Sequence, residues 1–237
     1  IDNCGLRSDG QLRCWGGAMS AAAPSSGTYT QVGIADGRGC AIRTDGTLVC
    51  WQAAGVASLG AVPAGEYLAL SLGSSHACAL RSDGKAQCWG SNAQGQSAAP
   101  TGPDFIAIAS GHQHSCGIRG DGALLCWGSN ASGQLNAPAG RFDAVTAGRL
   151  HTCARNEEGS VQCWGGTGSR NELATPAYNY QTLAVGPDLA CGLVYLGNFG
   201  CAGTASALTP PVSRYNGLSF GELTGCGLGV DGRAHCW

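Results

Sequence analysis

The sequence predicts an all-β chain built from seven copies of one disulfide-closed hairpin. Three observations predict it. Fourteen cysteines fall into seven equally spaced pairs, one glycine recurs in every intervening turn, and apolar residues alternate with polar ones without a helical period.

The hairpins come first. The pairs are Cys4 with Cys14, Cys40 with Cys50, Cys78 with Cys88, Cys116 with Cys126, Cys153 with Cys163, Cys191 with Cys201 and Cys226 with Cys236, each ten residues apart. Successive first cysteines lie 36, 38, 38, 37, 38 and 35 residues apart, the period of a repeat architecture. The hairpins span 4–15, 40–51, 78–89, 116–127, 153–164, 191–202 and 226–237. If Cys4 opposes Cys14, the turn is centred on Asp9, and Ser8-Asp9-Gly10 forms a three-residue loop with Arg7 opposite Gln11. Such a loop ends in a left-handed residue that glycine adopts without a Cβ clash. This accounts for Gly10, Gly46, Gly84, Gly122, Gly159, Gly197 and Gly232. Directly opposed residues have Cα atoms about 4.5–5.5 Å apart, within disulfide range. Each pair is therefore read as a cross-strand bridge inside its own hairpin. Zinc sites use short Cys-x2–4-Cys knuckles, which this spacing lacks, so no metal is expected. Bridges of this kind persist in an oxidising compartment, which points to a secreted protein.

A third strand precedes each hairpin after the first, as in Phe142-Asp143-Ala144-Val145-Thr146-Ala147. It opens on an aromatic eleven residues before the first cysteine: Tyr29, Tyr67, Phe105, Phe142, Tyr180 or Tyr215. A proline-bearing connector leads into it, where a short fourth strand is expected. Tryptophan follows the second cysteine in every copy except the sixth, which has Ala202. At a fixed place in each unit, tryptophan suits packing between units better than a ring of sugar-stacking platforms. The first hairpin has no preceding strand, so the first unit reads as incomplete. That leaves an edge open to strand addition and self-association. The opening Ile1-Asp2-Asn3-Cys4 reads as a processed chain or part of a longer one.

Segments such as Val145-Thr146-Ala147-Gly148-Arg149-Leu150-His151-Thr152-Cys153-Ala154 resemble the RCC1 repeat, as does Cys126-Trp127-Gly128-Ser129-Asn130-Ala131-Ser132-Gly133-Gln134-Leu135. The resemblance covers essentially the whole chain. It implies a seven-bladed β-propeller, here one domain over residues 1–237. The unit length is similar to that of the secreted β-lactamase-inhibitor protein II branch and of CRINKLY4-type receptor ectodomains, and the cysteines favour the extracellular forms. The resemblance also implies that the loops after Trp-Gly share one partner-facing end with the turns between the first two strands. In this chain those loops are 16–22, 91–97, 129–136, 165–171 and 203–207, all small and polar.

Function classes are bounded by composition. The chain has 237 residues, 12% of them charged, a net charge of −2 and scattered arginines, unlike a nucleic-acid-binding surface. No apolar run approaches the roughly 18 residues that span a bilayer. No free cysteine, G-x-S-x-G elbow or P-loop is present, so no enzyme and no cofactor is expected. His76, His114 and His151 share one repeat position and read as structural, although His112-Gln113-His114 could seat a metal from one strand edge. Glu157-Glu158 sits at a turn tip. Asn130 heads the single N-glycosylation sequon. The sixth copy carries Val194, Tyr195 and Leu196 at its tip, an apolar contact surface on an otherwise polar series. The expected function is a non-catalytic extracellular interaction or assembly module with a protein or glycan partner. A lectin and a secreted enzyme inhibitor are the alternatives.

Overall fold

The structure, a computed structural model, describes residues 2–102, 104–166, 180–186, 189–194, 197–203, 210–211, 214–220 and 224–237. Seven antiparallel sheets follow one another along the chain. The first has two strands, β1 (Asp2–Leu6) and β2 (Leu12–Gly16). Six three-stranded sheets follow, and the middle strand of each carries the first cysteine. They are β3 (Tyr29–Ala35), β4 (Arg38–Arg43) and β5 (Leu48–Gln52), then β6 (Tyr67–Leu72), β7 (His76–Arg81) and β8 (Ala86–Gly90). Next come β9 (Phe105–Ser110), β10 (His114–Arg119) and β11 (Leu124–Gly128), then β12 (Ala144–Ala147), β13 (His151–Arg155) and β14 (Val161–Gly165). The last two are β15 (Tyr180–Val185), β16 (Leu189–Val194) and β17 (Phe199–Gly203), then β18 (Tyr215–Phe220), β19 (Gly225–Gly229) and β20 (Ala234–Cys236). The first strands of successive sheets contact one another around a common axis. The sheets are the seven blades of a propeller.

The hairpin register follows the spacing. Cys4 pairs with Cys14 and Leu6 with Leu12, while Arg7 N donates to Gln11 O at 3.0 Å and Gly10 N to Arg7 O at 2.9 Å. All seven tip glycines have φ between 78° and 85°. Each cysteine pair is a disulfide inside its own blade. Cys4 is bridged to Cys14, Cys40 to Cys50, Cys78 to Cys88 and Cys116 to Cys126. Cys153 is bridged to Cys163, Cys191 to Cys201 and Cys226 to Cys236. Burial of the two cysteines varies between blades: Cys78 and Cys191 are buried and their partners Cys88 and Cys201 only partly so, whereas Cys153 and Cys163 are both buried. The paired Cα atoms are 4.0–4.1 Å apart, closer than the expected 4.5–5.5 Å, which is a correction to the sequence-derived spacing. The cysteines occupy non-hydrogen-bonded pairs, the narrower of the two antiparallel sites. Replacing Cys116 and Cys126 together by alanine is expected to cost about 3 kcal/mol, from the loop-closure entropy of a ten-residue span. The midpoint of urea unfolding measures it.

The expected fourth strand does not form among the described residues. The first connector instead holds a short 3-10 turn, Ala18–Ala21, which buries Met19. Other connectors satisfy their backbone through local turns, such as Gly95 N to Asn92 O and Ala98 N to Gly95 O. With those groups already paired, a ladder has nothing to bond.

The core lies between blades. Cys116 and Ile118 of the fourth blade pack with Phe142, Ala154 and Trp164 of the fifth, and Cys78 and Leu80 of the third with Phe105 and Trp127 of the fourth. Tip glycines also join blades: the carbonyls of Gly10, Gly46, Gly84, Gly122 and Gly159 accept from the N–H of Tyr29, Tyr67, Phe105, Phe142 and Tyr180. Around the axis, the Gln31 side-chain amide bonds both backbone groups of Leu70 at 2.9 Å, and Ser110 N donates to Ser71 Oγ at 2.8 Å.

Candidate functional site

The turns between first and second strands gather at one end of the axis, and the loops after Trp-Gly start beside them. Ala53 N donates to Gly37 O, Ser91 N to Ser75 O and Ser129 N to Gln113 O, all at 2.8–2.9 Å. The disulfide-closed tips point to the opposite end. Of the sequence-derived loops, 16–22, 91–97 and 129–136 share the turn-bearing face, whereas 165–171 and 203–207 lie largely outside the described residues. An axial cavity of about 280 Å³ opens among the turns. Asp2 and Asp36 edge it on the first two blades, and His112 and Arg149 on the fourth and fifth. Among the described residues, Asp36 is the one non-glycine with positive φ, 45°, and with Gly37 at 72° it makes a two-residue hairpin turn.

The recurring histidines lie inside the ring rather than on this face. His76 Nε2 meets Ser115 Oγ of the next blade at 2.8 Å, and His114 Nε2 meets Thr152 Oγ1 at 2.8 Å. Each imidazole occupies the space that a Cβ on Gly73 or Gly111 would need, which explains the glycine turn before the cysteine. Burial holds both imidazoles neutral, with pKa values lowered to about 4. His114 is engaged in blade packing, while His112 edges the axial cavity. One sequence signal was available: a hydroxyl residue stands before the first cysteine of the copy following His76 and His114.

Trp51, Trp89, Trp127 and Trp164 are also inside. Trp127 Nε1 donates to Gln96 O at 3.0 Å and Trp164 Nε1 to Gln134 O at 2.9 Å, each reaching the loop of the preceding blade. Those loops share Ser-Asn-x-x-Gly-Gln, in which Gln96 and Gln134 are buried. The earlier loops lack that pattern, and Trp51 Nε1 and Trp89 Nε1 are buried without a hydrogen-bond partner. Asn130 is exposed, but its Oδ1 accepts from Leu135 N at 2.9 Å and its Nδ2 donates to Asn136 Oδ1 at 3.3 Å. It closes its loop as Asn92 does through Ser97 N.

The far face is polar and structural. Asp9, Asp45, Asp83, Asp121 and Asp231 each accept from the backbone N–H two residues on. Such hydrogen bonds hold the carboxyls of Asp45, Asp83 and Asp231 below their ordinary pKa, Asp45 chiefly through the Thr47 hydroxyl. In the fifth blade Asn156 takes over this role, leaving Glu157 and Glu158 exposed. Arg155, in an otherwise aliphatic position, donates from Nε and Nη2 to the two carboxylate oxygens of Asp143 at 2.9 and 3.0 Å. His235 is exposed and 3.7 Å from Asp231. Val194 is half-buried and lines a recess with Arg214 and Val230. Tyr195 and Leu196 lie outside the described residues.

All cysteines are bridged, and among the described residues no three metal-ligating side chains converge. What the geometry offers is a rigid ring presenting short polar loops around a shallow axial opening. The model for the regulator of chromosome condensation (RCC1) repeat matches residues 68–96, 105–134 and 142–171. No curated protein matches the chain by sequence. Among solved structures, the ectodomain of the receptor kinase CR4 from Physcomitrella patens is 27% identical with a TM-score of 0.88, covering 100% of this chain and 70% of that one. The CRINKLY WD40 ectodomain of the Arabidopsis thaliana receptor kinase ACR4 is 22% identical with a TM-score of 0.82, covering 100% and 90%. Prp20p from Saccharomyces cerevisiae shares the fold at 15% identity and a TM-score of 0.73, covering 89% and 72%.

Proposed function

We propose that this chain, which belongs to the RCC1-repeat superfamily, is a non-catalytic extracellular module that binds a protein partner or an assembly neighbour through its loop face. One observation carries the reading: every cysteine is committed to a bridge within a blade, leaving a reduction-sensitive scaffold and a ring of variable polar loops. Disulfide-dense repeats suit an oxidising compartment. The likeness to a receptor ectodomain supports the same placement. With Trp51, Trp89, Trp127 and Trp164 buried, the series supplies no row of stacking platforms, which favours a protein partner over a glycan. Asn130 is a proposed glycosylation site on that face, and Val194 with its neighbours 195 and 196 a proposed secondary contact.

The test uses the loop tips. Ala93 and Ala131 occupy equivalent exposed positions on adjacent loops. Arginine at both is expected to weaken binding to a secreted or cell-surface protein at least tenfold, by placing an unpaired charge in the interface. Arginine at exposed Ser82, near the disulfide-closed tip of its blade, is expected to leave binding unchanged. A panel of extracellular proteins and a glycan array are probed in parallel. Binding to glycans alone, or equal loss from both faces, overturns the reading.

A further inference from the structure

Equivalent residues of five inner strands line the axial opening, six positions before the first cysteine of each blade. β3, β6, β12 and β15 bring Ile34, Leu72, Ala147 and Val185 there, all apolar, whereas β9 brings Ser110. Ser110 is 6% exposed, and its Oγ has no hydrogen-bond partner. Its backbone is satisfied, with the N–H donating to Ser71 Oγ at 2.8 Å. A buried hydroxyl without a partner is uncommon and destabilising.

The turns beyond these strands set two further polar groups on the same side. His112 lies two residues after Ser110, and Arg149 holds the equivalent position on the next blade. Both edge the opening. The turns are tied to one another from the second blade to the fifth. Arg38 Nη1 donates to Ser74 O at 2.7 Å, Ser74 Oγ to His112 O at 2.7 Å and His112 N to Gly148 O at 3.3 Å. These bonds engage the backbone of His112 and Gly148, and leave the His112 ring and the Arg149 guanidinium at the opening. Asp36 holds the same turn position on the second blade, so the rim is acidic there and basic on the fourth and fifth. An anion is drawn to the basic side and repelled from Asp36. The basic side, residues 110–149, belongs to the middle of the chain.

We propose that the axial opening binds a small amphipathic carboxylate. The carboxylate accepts from Arg149, from the His112 ring and from the Ser110 hydroxyl, which turns into the opening by a change of χ1 rotamer. The apolar body of the ligand lies on Ile34, Leu72 and Val185. Arg149 supplies a permanent charge and a planar fork of donors matched to a carboxylate. Apolar walls with a few convergent polar groups are the usual make-up of a small-molecule site. This site goes beyond the partner-binding reading and requires no macromolecule, so either can fail without the other.

The test titrates octanoate into the 237-residue chain by calorimetry, with octanamide and acetate as comparison ligands. Octanoate is expected to saturate, and to bind about tenfold or more tighter than octanamide, which lacks the charge, or acetate, which lacks the chain. Arg149→Gln is expected to weaken octanoate by about tenfold or more, and Ser110→Ala by about threefold. Arg119→Gln, at an exposed tip of the far face, is expected to leave binding unchanged. The Ser110 hydroxyl bonds nothing in the free chain, so Ser110→Ala is expected to melt no lower than the parent, which separates lost affinity from lost folding. Uptake that does not saturate, equal binding of octanamide or acetate, or unchanged affinity in Arg149→Gln or Ser110→Ala overturns the proposal. An equal loss in Arg119→Gln does so too.

Discussion

Phe105→Ala is expected to lower the free energy of unfolding by about 3–5 kcal/mol, the range for deleting a fully buried phenyl ring. Phe105 is buried between two blades, against Cys78 and Leu80 on one side and tilted on Trp127 at 5.9 Å on the other. Its ring also covers Gly117, so truncation exposes backbone and leaves a cavity that neighbouring strands cannot close without breaking register. Ile106 provides the internal control. It is the next residue but points to solvent, and Ile106→Ala is expected to change stability by no more than about 0.5 kcal/mol. Guanidinium unfolding of the two variants separates them. Similar losses from both would mean that stability does not reside between the blades.

Acid is expected to have an effect of comparable size. His76 and His114 have folded-state pKa values of about 4, against 6.5 in an unfolded chain. Desolvation is the main cause for both. His112 adds repulsion at His76, and His76, His151 and His112 do so at His114. The unfolded state therefore binds more protons between pH 6.5 and 4, and stability falls as pH falls through that window. The contribution is fully present above pH 6.5 and levels off below about pH 4. Each imidazole accounts for up to about 3 kcal/mol. Asp45, Asp83 and Asp231, whose pKa values are lowered from 3.8, give up their contribution only below this range. Melting temperature followed from pH 7 to 4 checks this. His76→Asn with His114→Asn is expected to flatten the slope even if the variant starts less stable. An unchanged slope would place the titrating groups elsewhere.

Legibility tracked the distance along the chain over which each contact forms. The bridge from Cys40 to Cys50 and the turn at Gly46 follow from ten residues of spacing, because a hairpin's register is set by its own loop. The same holds for Cys78 with Cys88, Cys153 with Cys163 and Cys191 with Cys201, although spacing did not foretell how closely their backbones approach. The recurring aromatic and tryptophan were visible as a pattern, but spacing did not say which neighbour they meet. Asn130 reads as a sequon, and only the folded loop shows its amide holding Leu135 and Asn136. The fourth strand expected in the connectors is absent where described, because proline has no N–H to give a ladder and local turns already pair neighbouring groups. By sequence His114 reads as structural although His112-Gln113-His114 could seat a metal; the fold sends His112 to the axial opening and His114 beneath Gly111.

The sequence by itself determined seven bridged hairpins, their glycine turns, their all-β class and their number, since each is enforced by atoms within a dozen residues of one another. Tertiary structure decided which histidine meets which hydroxyl and which tryptophans are buried. Those outcomes depend on residues some forty positions apart being brought face to face by closure around the axis, and no local spacing carries that angle.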